Sequence, residues 1–484
     1  MNLKKEWLGN VKGDLLAGLV VCMALIPEAI GFSIVAGVDP MVGVYASFMI
    51  SLITSIFGGR PGLISAAAGA TALVLASLVA DYGMDYLFAA TILAGVLQLV
   101  LGFCKVGNLM KFIPKPVMIG FVNALAIMML NSQIGYFQGG YILPIFGVIG
   151  VAIIVLFPYI TKSIPSPIVA IIVITLIVNF GGIDVKMLGD MGEISSKLPS
   201  LIFPKVPLTI ETLKIIFPYS MSVALVGIVE SLLTSQLVDE ITDTHSDKNR
   251  ECVGQGLANI GAGFFGGIAG CGMIGQTVIN TNYGGRGRLS TLMAGTCMLF
   301  AVIVLNKYVV LVPVVALASV MLVVAFKTFN WGSIGRVKHV PKTDTLIMIS
   351  TVIVVLLTDN LAYGVVVGFI ISAITFASKM SNVEADKVIT EESITYNVSG
   401  ELFFASSTEF IALFDYSKTD KCIFINFENV KIWDESAVDA IDKVVLKYRK
   451  IGVNVTLVSL SDSCLELVDK LAIHHKEDIK VRAH

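Results

Sequence analysis

Apolar stretches long enough to form membrane-spanning helices follow one another from the N-terminus to about Met380. A helix needs about 20 apolar residues to cross a hydrocarbon core of about 30 Å. We therefore predict an all-α polytopic membrane domain over residues 1–380. Its fourteen predicted segments, some of them short, are 13–35, 41–58, 62–80, 87–104, 116–136, 141–161, 165–181, 217–239, 252–267, 271–282, 290–306, 309–327, 343–358 and 361–378.

Basic residues in the connecting loops predict the orientation of these segments in the bilayer. Lysine or arginine follows each even-numbered segment, for example Arg60, Lys105, Lys248, Arg286 and Lys327. Loops after the odd-numbered segments are mostly free of them. Because short basic loops collect on the cytoplasmic side, we expect both termini to be cytoplasmic and the protein to lie in the cell membrane.

Beyond Met380 the pattern changes to alternating strand and helix signals of a soluble α/β domain. Residues 381–390 are polar and are predicted to be a linker to a domain over residues 391–484. The predicted strands are ITYNV, ELFF, CIFINF and VNVTLVSL, and the predicted helices are STEFIALFDY, ESAVDAIDKVVLKYRKIG and CLELVDKLAI.

Composition supports a membrane protein and disfavours several functions. Of the 484 residues, 55% are hydrophobic and 14% are charged, against about 25% charged in an average soluble domain. The net charge of −2 gives no reason to expect nucleic acid as a partner. The seven cysteines form no C-x-x-C pair, so we predict buried thiols rather than disulfides or a metal cluster.

The stretch GCGMIG, Gly270–Gly275, fits the G-x-G-x-x-G pattern of dinucleotide-binding loops. Such a loop follows a strand, opens a helix and has an acidic residue about 20 positions later, whereas this one lies between two membrane-length segments. No G-K-[ST] follows it either. We therefore expect no nucleotide, no cofactor and no enzymatic activity.

Small residues inside a membrane domain suggest a helix that begins midway across the bilayer. The tenth segment begins with these glycines, and the third begins with small residues from Ser65 to Thr71. The two are equivalent if the fourteen segments form two inverted repeats of seven. Paired half-helices aim free N–H groups at the midplane, where they can bind an anion. The alternative is that the small residues serve close helix packing.

Away from the segment ends, two carboxylates lie within predicted membrane segments, Glu28 in the first and Glu230 in the eighth. Such residues mark an ion or proton path unless they reach water at a helix end. Thr234 lies one helical turn after Glu230 on the same face. A carboxylate and a hydroxyl together suit Na⁺, and a protonatable glutamate suits H⁺ equally well. We rank Glu230 above Glu28.

The sequence resembles the SulP family of anion transporters. The motifs that carry the resemblance are PEAIGFSIVAGVDPMVGVYASF, from Pro27, and VESLLTSQLVDEITDTHSDKNRECVGQGLANIGAGFFGGIAGCGMIGQ, from Val229. The segment IWDESAVDAIDKVVLKYR resembles the STAS domain of these proteins. The resemblance implies a core domain of helices 1–4 and 8–11 that moves like an elevator against a gate domain of helices 5–7 and 12–14. It also implies a regulatory cytoplasmic STAS domain and a homodimer with STAS contacts.

The resemblance also implies the residues of the site. ESLLT matches D-S-L-L-T of cyanobacterial sodium/bicarbonate symporters, so Glu230 and Thr234 are the expected Na⁺ ligands. The backbone of Gly272, Met273 and Ile274 would complete the cation site. The anion would meet backbone amides of Gly69, Ala70, Thr71, Ile274, Gly275 and Gln276. Ser436 falls near a position that is phosphorylated in related anti-sigma antagonists.

Departures from the family pattern leave the substrate open. Many relatives carry an arginine at the start of the tenth helix, where this chain has Gly275 and Gln276, and Ala68 replaces a hydroxyl residue of the bicarbonate proteins. Glutamate at 230 adds a methylene that could favour H⁺ over Na⁺. We expect a secondary active transporter of a small inorganic anion, with sulfate first, bicarbonate second and a dicarboxylate third. A channel-like anion conductor and a membrane-anchored STAS regulator are the other possibilities.

Overall fold

The computed structural model describes residues 3–108, 114–138, 141–161, 165–192, 197–358, 360–417 and 421–473. Internal contacts divide the chain into one unit over Met1–Phe369 and another over Ile370–His484. The boundary between the two units lies inside the last apolar helix, Leu361–Met380. The change in composition comes later, at residue 380, because the helix continues beyond the boundary.

The described chain up to Met380 is built mainly from helices. They are α1 (Leu3–Leu8), α2 (Val11–Val35), α3 (Pro40–Phe57), α4 (Gly69–Tyr82), α5 (Met84–Phe103), α6 (Lys115–Ile134), α7 (Ile142–Leu156), α8 (Ser166–Gly181), α9 (Ile210–Thr242), α10 (Lys248–Phe264), α11 (Ile274–Asn282), α12 (Arg288–Val304), α13 (Asn306–Val309), α14 (Val314–Thr328), α15 (Trp331–Arg336), α16 (Lys342–Thr358) and α17 (Leu361–Met380). Each of the fourteen predicted segments contains one of them.

Length and surface both suit a bilayer. Eight of the helices in the described part of the chain are long and apolar enough to cross a membrane, and α4, α8 and α12 are shorter apolar helices. Large apolar side chains stand exposed on the outside of the unit, for example Phe103, Val148, Phe180 and Leu357. Apolar surface of this extent is stable against lipid tails and costly in water.

The helices of the first unit pack in two groups. In one group α2, α3, α4, α5, α9, α10, α11 and α12 contact one another, with the closest packing between α5 and α10. In the other group α6 packs against α14 and α16, and α7 packs against α8 and α14. The groups meet where α2 contacts α8 and α14, and where α4 contacts α6.

The third and tenth predicted segments are not helical throughout. Short strands precede their helices, β1 (Ser65–Ala67) before α4 and β2 (Gly270–Gly272) before α11. The strands pair antiparallel, with Ala66 opposite Cys271. Both helices are consequently short, and α11 has only nine residues. The prediction of half-helices agrees with these bounds, whereas the predicted starts at residues 62 and 271 are too early because the first residues are extended.

Gly270 allows the two strands to approach. A Cβ added there would lie 2.0 Å from the carbonyl oxygen of Ala66, a distance that no side chain can occupy. Gly275 differs, since a Cβ added there would meet nothing within 4 Å. The glycines of the GCGMIG stretch therefore serve different purposes, close strand packing at one position and open space at another.

The second unit is an α/β domain. It contains β3 (Glu384–Ile389), β4 (Ser393–Leu402), α18 (Ser407–Ala412), β5 (Cys422–Ile432), α19 (Glu435–Lys450), β6 (Val455–Val458) and α20 (Asp462–Leu471). The sheet order is β3-β4-β5-β6, antiparallel between β3 and β4 and parallel elsewhere. The apolar face of α19 is buried, and its N-cap Asp434 accepts a 3.0 Å hydrogen bond from the Ala437 N–H.

Two details of this domain differ from the sequence prediction. Residues 381–390, predicted to be a linker, contain β3, a largely exposed edge strand in which polar and apolar residues are mixed without strict alternation. ITYNV and the first two residues of ELFF, Glu401 and Leu402, form the single strand β4, because a bulge between Asn397 and Ser399 accommodates the glycine-containing segment without ending the strand. Residues 474–484 of the predicted domain lie outside the described residues.

The substitution Gly270→Ala is expected to lower the free energy of unfolding by about 1–3 kcal/mol, because the new methyl group overlaps the Ala66 carbonyl. Gly275→Ala is the matched control and should leave stability close to wild type. Thermal unfolding of the three purified proteins in one detergent measures the effect. Equal midpoints for all three would contradict the close strand approach.

Candidate functional site

The strands β1 and β2 place extended backbone in the middle of a helical membrane unit, so their polar groups need partners. Asn259 on α10 supplies two of them for Gly270. Its Oδ1 accepts a 2.8 Å hydrogen bond from the Gly270 N–H, and its Nδ2 donates to the Gly270 carbonyl at 3.1 Å and to Gln98 Oε1 at 2.8 Å. A single asparagine on α10 thus holds β2 by both backbone groups.

Hydroxyl side chains of neighbouring helices satisfy further backbone groups of these segments. Ser51 Oγ donates to the Ser65 carbonyl at 2.8 Å, and the Ala67 N–H donates to Ser47 Oγ at 3.1 Å. On the other strand, the Gly272 N–H donates to Ser231 Oγ at 2.8 Å. The Met273 N–H donates a hydrogen bond to the Ile64 carbonyl at 2.8 Å, which extends the pairing of the two extended segments by one more bond.

The helices that follow these strands begin without a capping side chain. The N-cap residues are Ala68 for α4 and Met273 for α11, and neither provides a side-chain hydrogen bond to its helix. The first N–H groups of each helix have no partner within the helix. The antiparallel strands place the two helix N-termini at opposite ends of the strand pair, and both N-termini face the same space, where their partial positive charges act together.

A cavity of about 90 Å³ lies at these helix N-termini. The first turns of both helices contribute to it, together with α2, α6, α9 and α14. Its lining residues are Glu28, Phe32, Ala68, Gly69, Phe121, Val122, Leu125, Met129, Glu230, Leu233, Met273, Ile274, Gly275, Gln276, Val324 and Thr328. The wall is mostly apolar, and its ionisable groups are the two glutamates.

Glu230 lies against the strand β2. Its Oε2 accepts a 3.0 Å hydrogen bond from the Cys271 thiol. One turn further along α9, the Thr234 hydroxyl bridges two carbonyl oxygens, those of Glu230 at 2.8 Å and Gly272 at 2.9 Å. A carboxylate, a hydroxyl and a backbone carbonyl therefore converge here, and oxygen donors of this kind suit Na⁺.

Gln276 is the buried polar side chain on the α11 side of the cavity. It is 2% exposed, and its Oε1 has no hydrogen-bond partner among the described residues. The Glu28 carboxylate on α2 lies close enough to the Gln276 amide to interact with it. An amide with unused hydrogen-bonding capacity, next to a helix N-terminus, can take part in binding a polar solute.

The structure brings most of the predicted site residues together. Those that line the cavity are Glu28, Gly69, Glu230, Met273, Ile274, Gly275 and Gln276. Gly272 and Thr234 lie directly behind this wall, joined by their hydrogen bond. Ala70 and Thr71 are not part of the wall, because they are buried in helix packing, where Thr71 Oγ1 donates to the Ala269 carbonyl at 2.6 Å.

Ser436 belongs to the second unit. It is exposed in the first turn of α19, and its carbonyl accepts a 3.1 Å hydrogen bond from Ser407 Oγ. It therefore takes no part in the cavity of the membrane unit.

Several residues of the site were missed by sequence reasoning. Asn259 and Gln255 lie on α10 one turn apart, and Gln255 Nε2 donates to Ser65 Oγ of β1. Two buried amides at this spacing in a membrane-length helix are a signal that something polar lies opposite. Cys271 appears in the sequence only as an apolar residue, and Phe121 and Thr328 come from helices that showed no polar motif.

Comparison with known sequences assigns the chain to a family. A sulfate permease family model matches residues 11–143 and 142–351, and a STAS domain model matches residues 384–484. The Bacillus subtilis (strain 168) protein "Putative sulfate transporter YbaR" is 50% identical over 473 residues, covering 97% of this chain and 99% of the relative. "Bicarbonate transporter BicA" of Picosynechococcus sp. is 28% identical over 423 residues, covering 80% of this chain and 74% of the relative.

Solved structures share the fold. The transmembrane domain of a cyanobacterial bicarbonate transporter, BicA, matches with a TM-score of 0.66 and 26% identity, covering 75% of this chain and 97% of that chain. The murine anion transporter Slc26a9 matches with a TM-score of 0.82 and 18% identity, covering 96% and 88%. Two interrupted helices that meet at a central cavity, within a unit of many apolar helices, define a multi-pass membrane protein of the anion transporter class. The chain belongs to the sulfate permease family and carries a STAS domain.

Replacing Asn259 with alanine is expected to lower the apparent midpoint of thermal unfolding, because both backbone groups of Gly270 lose their partner. Each unpaired buried group costs about 1–3 kcal/mol. Asn179→Ala, on the exposed face of α8, is the control and should change stability little. If both variants have the same midpoint of thermal unfolding as wild type, Asn259 does not hold β2 in place.

Proposed function

We propose that the chain is a secondary active transporter of a small inorganic oxyanion, coupled to Na⁺ or H⁺, with sulfate as the substrate. The observation that carries the proposal is the meeting of two uncapped helix N-termini at one cavity. Backbone amides there can replace the water that an anion gives up on leaving solution. The sulfate transporter name of the 50% identical relative supports the choice of sulfate.

Coupling follows from the charges of the cavity wall. Two carboxylates line a mostly apolar space, and in their ionised form they repel an entering oxyanion. Bound Na⁺, or a proton on the carboxylate, removes the repulsion from Glu230. Binding of the cation then favours binding of the anion, and the reverse. The gradient of one ion can therefore drive the movement of the other. This chain has Gly275 and Gln276 where an arginine would provide a fixed positive charge, which increases its dependence on the co-transported cation.

An elevator movement of core against gate fits the packing of the helices. The group that contains α4, α9 and α11 carries both helix N-termini and Glu230, whereas α6 and α14 of the other group form the opposite wall of the cavity. Sliding of the first group would carry the bound ions past the second. We further propose that the protein works in the cell membrane as a homodimer, with both termini cytoplasmic and without a bound cofactor.

Bicarbonate is the second candidate substrate. The name of the 28% identical relative favours bicarbonate. ESLLT of this chain differs from the D-S-L-L-T motif of the bicarbonate symporters only by the extra methylene of Glu230. A membrane-anchored STAS regulator without transport activity is the candidate from another class, and a reconstituted transport measurement separates it from both.

Uptake into proteoliposomes tests the proposal. Labelled sulfate and bicarbonate are offered under separate Na⁺ and H⁺ gradients to wild type and to Glu230→Gln. We expect sulfate accumulation in wild type under one of the two gradients, and a loss of at least about tenfold in gradient-driven uptake for the variant. Uptake of neither anion would refute the assignment, and an unchanged ion dependence in Glu230→Gln would refute the coupling role of Glu230.

Thr234 is tested by two substitutions of similar size. If Na⁺ drives uptake, Thr234→Val should raise the Na⁺ concentration for half-maximal rate by about tenfold, because one of few oxygen ligands is lost. Thr234→Ser keeps the hydroxyl and should behave like wild type. An unchanged half-saturation in Thr234→Val, with Na⁺-driven uptake intact, would remove Thr234 from the cation site.

A further inference from the structure

A second pocket, separate from the central cavity, lies between the beginnings of α6 and α16 and the short helix α15. Its volume is about 230 Å³. Lys115, Arg336 and Asp344 provide its charged lining, and Ile119, Val337 and Met348 are among its apolar residues. Charged and apolar walls side by side are typical of a site at the border between bilayer and water.

The basic character extends along the connection from α14 to α16. Between residues 327 and 342 the sequence has four cations, Lys327, Arg336, Lys338 and Lys342, and no acidic residue. Lys115, opposite them, is exposed, and its ammonium has no hydrogen bond or ion pair with any residue that the structure describes. The pocket therefore carries more positive than negative charge, with Lys115 and Arg336 against the single carboxylate of Asp344.

The connection is held in place against α6. Asn123 is 4% exposed, its Nδ2 donates to Ser333 Oγ at 3.0 Å, and its Oδ1 accepts from the Asn330 N–H at 2.8 Å. The Arg336 guanidinium is oriented by bonds to the Gly332 carbonyl at 3.1 Å and to Asn330 Oδ1 at 3.4 Å. The guanidinium is thus positioned before any ligand arrives, which lowers the entropy lost on binding.

An apolar stripe leads away from the pocket. Leu346, Ile349 and Ile353 recur at helical spacing along α16 and are 59%, 46% and 50% exposed. A free phosphate ion would contact the cations of the pocket but would make no contact with this apolar stripe. A phospholipid matches both, because its phosphate meets the cations and its acyl chains cover the stripe.

We propose that this pocket binds one anionic glycerophospholipid, with the phosphodiester between Lys115 and Arg336 and the acyl chains along α16. Asp344 selects a headgroup with hydroxyl groups, since a carboxylate accepts hydrogen bonds from hydroxyl donors. Phosphatidylglycerol has this chemistry. The lipid would fix α15 and the beginnings of α6 and α16 to one leaflet.

Binding to the full-length protein in detergent tests the site, with phosphatidylglycerol and phosphatidylcholine as probes and with lipid retention by native mass spectrometry and thermal shift as readouts. The double variant Lys115→Ala/Arg336→Ala should bind phosphatidylglycerol at least about tenfold more weakly. Lys214→Ala/Lys307→Ala removes two exposed lysines elsewhere and should bind like wild type. Equal binding of the two lipids to wild type, or equal binding by both double variants, would overturn the site.

Two further arms identify the occupant and remain informative if the double variant fails to fold. Asp344→Asn should lower the preference for phosphatidylglycerol over phosphatidic acid several-fold. An unchanged preference would overturn the role of Asp344. Inorganic phosphate, tested on wild type, should give little stabilisation. Stabilisation equal to that by phosphatidylglycerol would show a free anion site and refute the lipid. All of these readouts are independent of transport.

Discussion

An extended peptide segment inside an apolar protein has to satisfy each N–H and C=O group without water, and two such segments cross in this molecule. Ser65–Ala67 and Gly270–Gly272 satisfy one another in part by pairing. Asn259 and a set of serine hydroxyls satisfy most of what remains. The pairing fixes where α4 and α11 begin, and the cavity follows from those two positions. The strands thus act as a scaffold that points two helix N-termini at one place.

The same arrangement explains the polarity of the unit. Amides and hydroxyls are buried on α3, α9, α10 and α11, where they face the crossing strands, whereas α7, α8 and α16 expose aliphatic side chains. Binding groups supplied by the backbone are rigid and need no flexible side chain to be ordered. The two glutamates add ionisable groups to the cavity wall, and in the proposed mechanism they connect anion binding to a cation.

Sequence reasoning was most successful where the physical signal is long. Each predicted membrane segment contains a helix, and the small residues before α4 and α11 indicated interrupted helices. It could not find the strand pairing, because three-residue strands have no periodicity and their partners are about 200 positions apart. Asn259 was missed for the same reason, since its partner Gly270 is known only from the fold. In the second unit, β3 was hidden because this exposed edge strand begins with charged residues and lacks the alternation of a half-buried strand.

In the proposed mechanism an oxyanion sits between the N-termini of α4 and α11, held by backbone amides. Selenate is an isostere of sulfate that is visible in electron density and detectable by anomalous scattering. A structure with selenate should show it in the central cavity, within hydrogen-bonding distance of N–H groups near Gly69 and from Ile274 to Gln276. Selenate bound elsewhere, with this cavity empty under conditions that support uptake, would contradict the account.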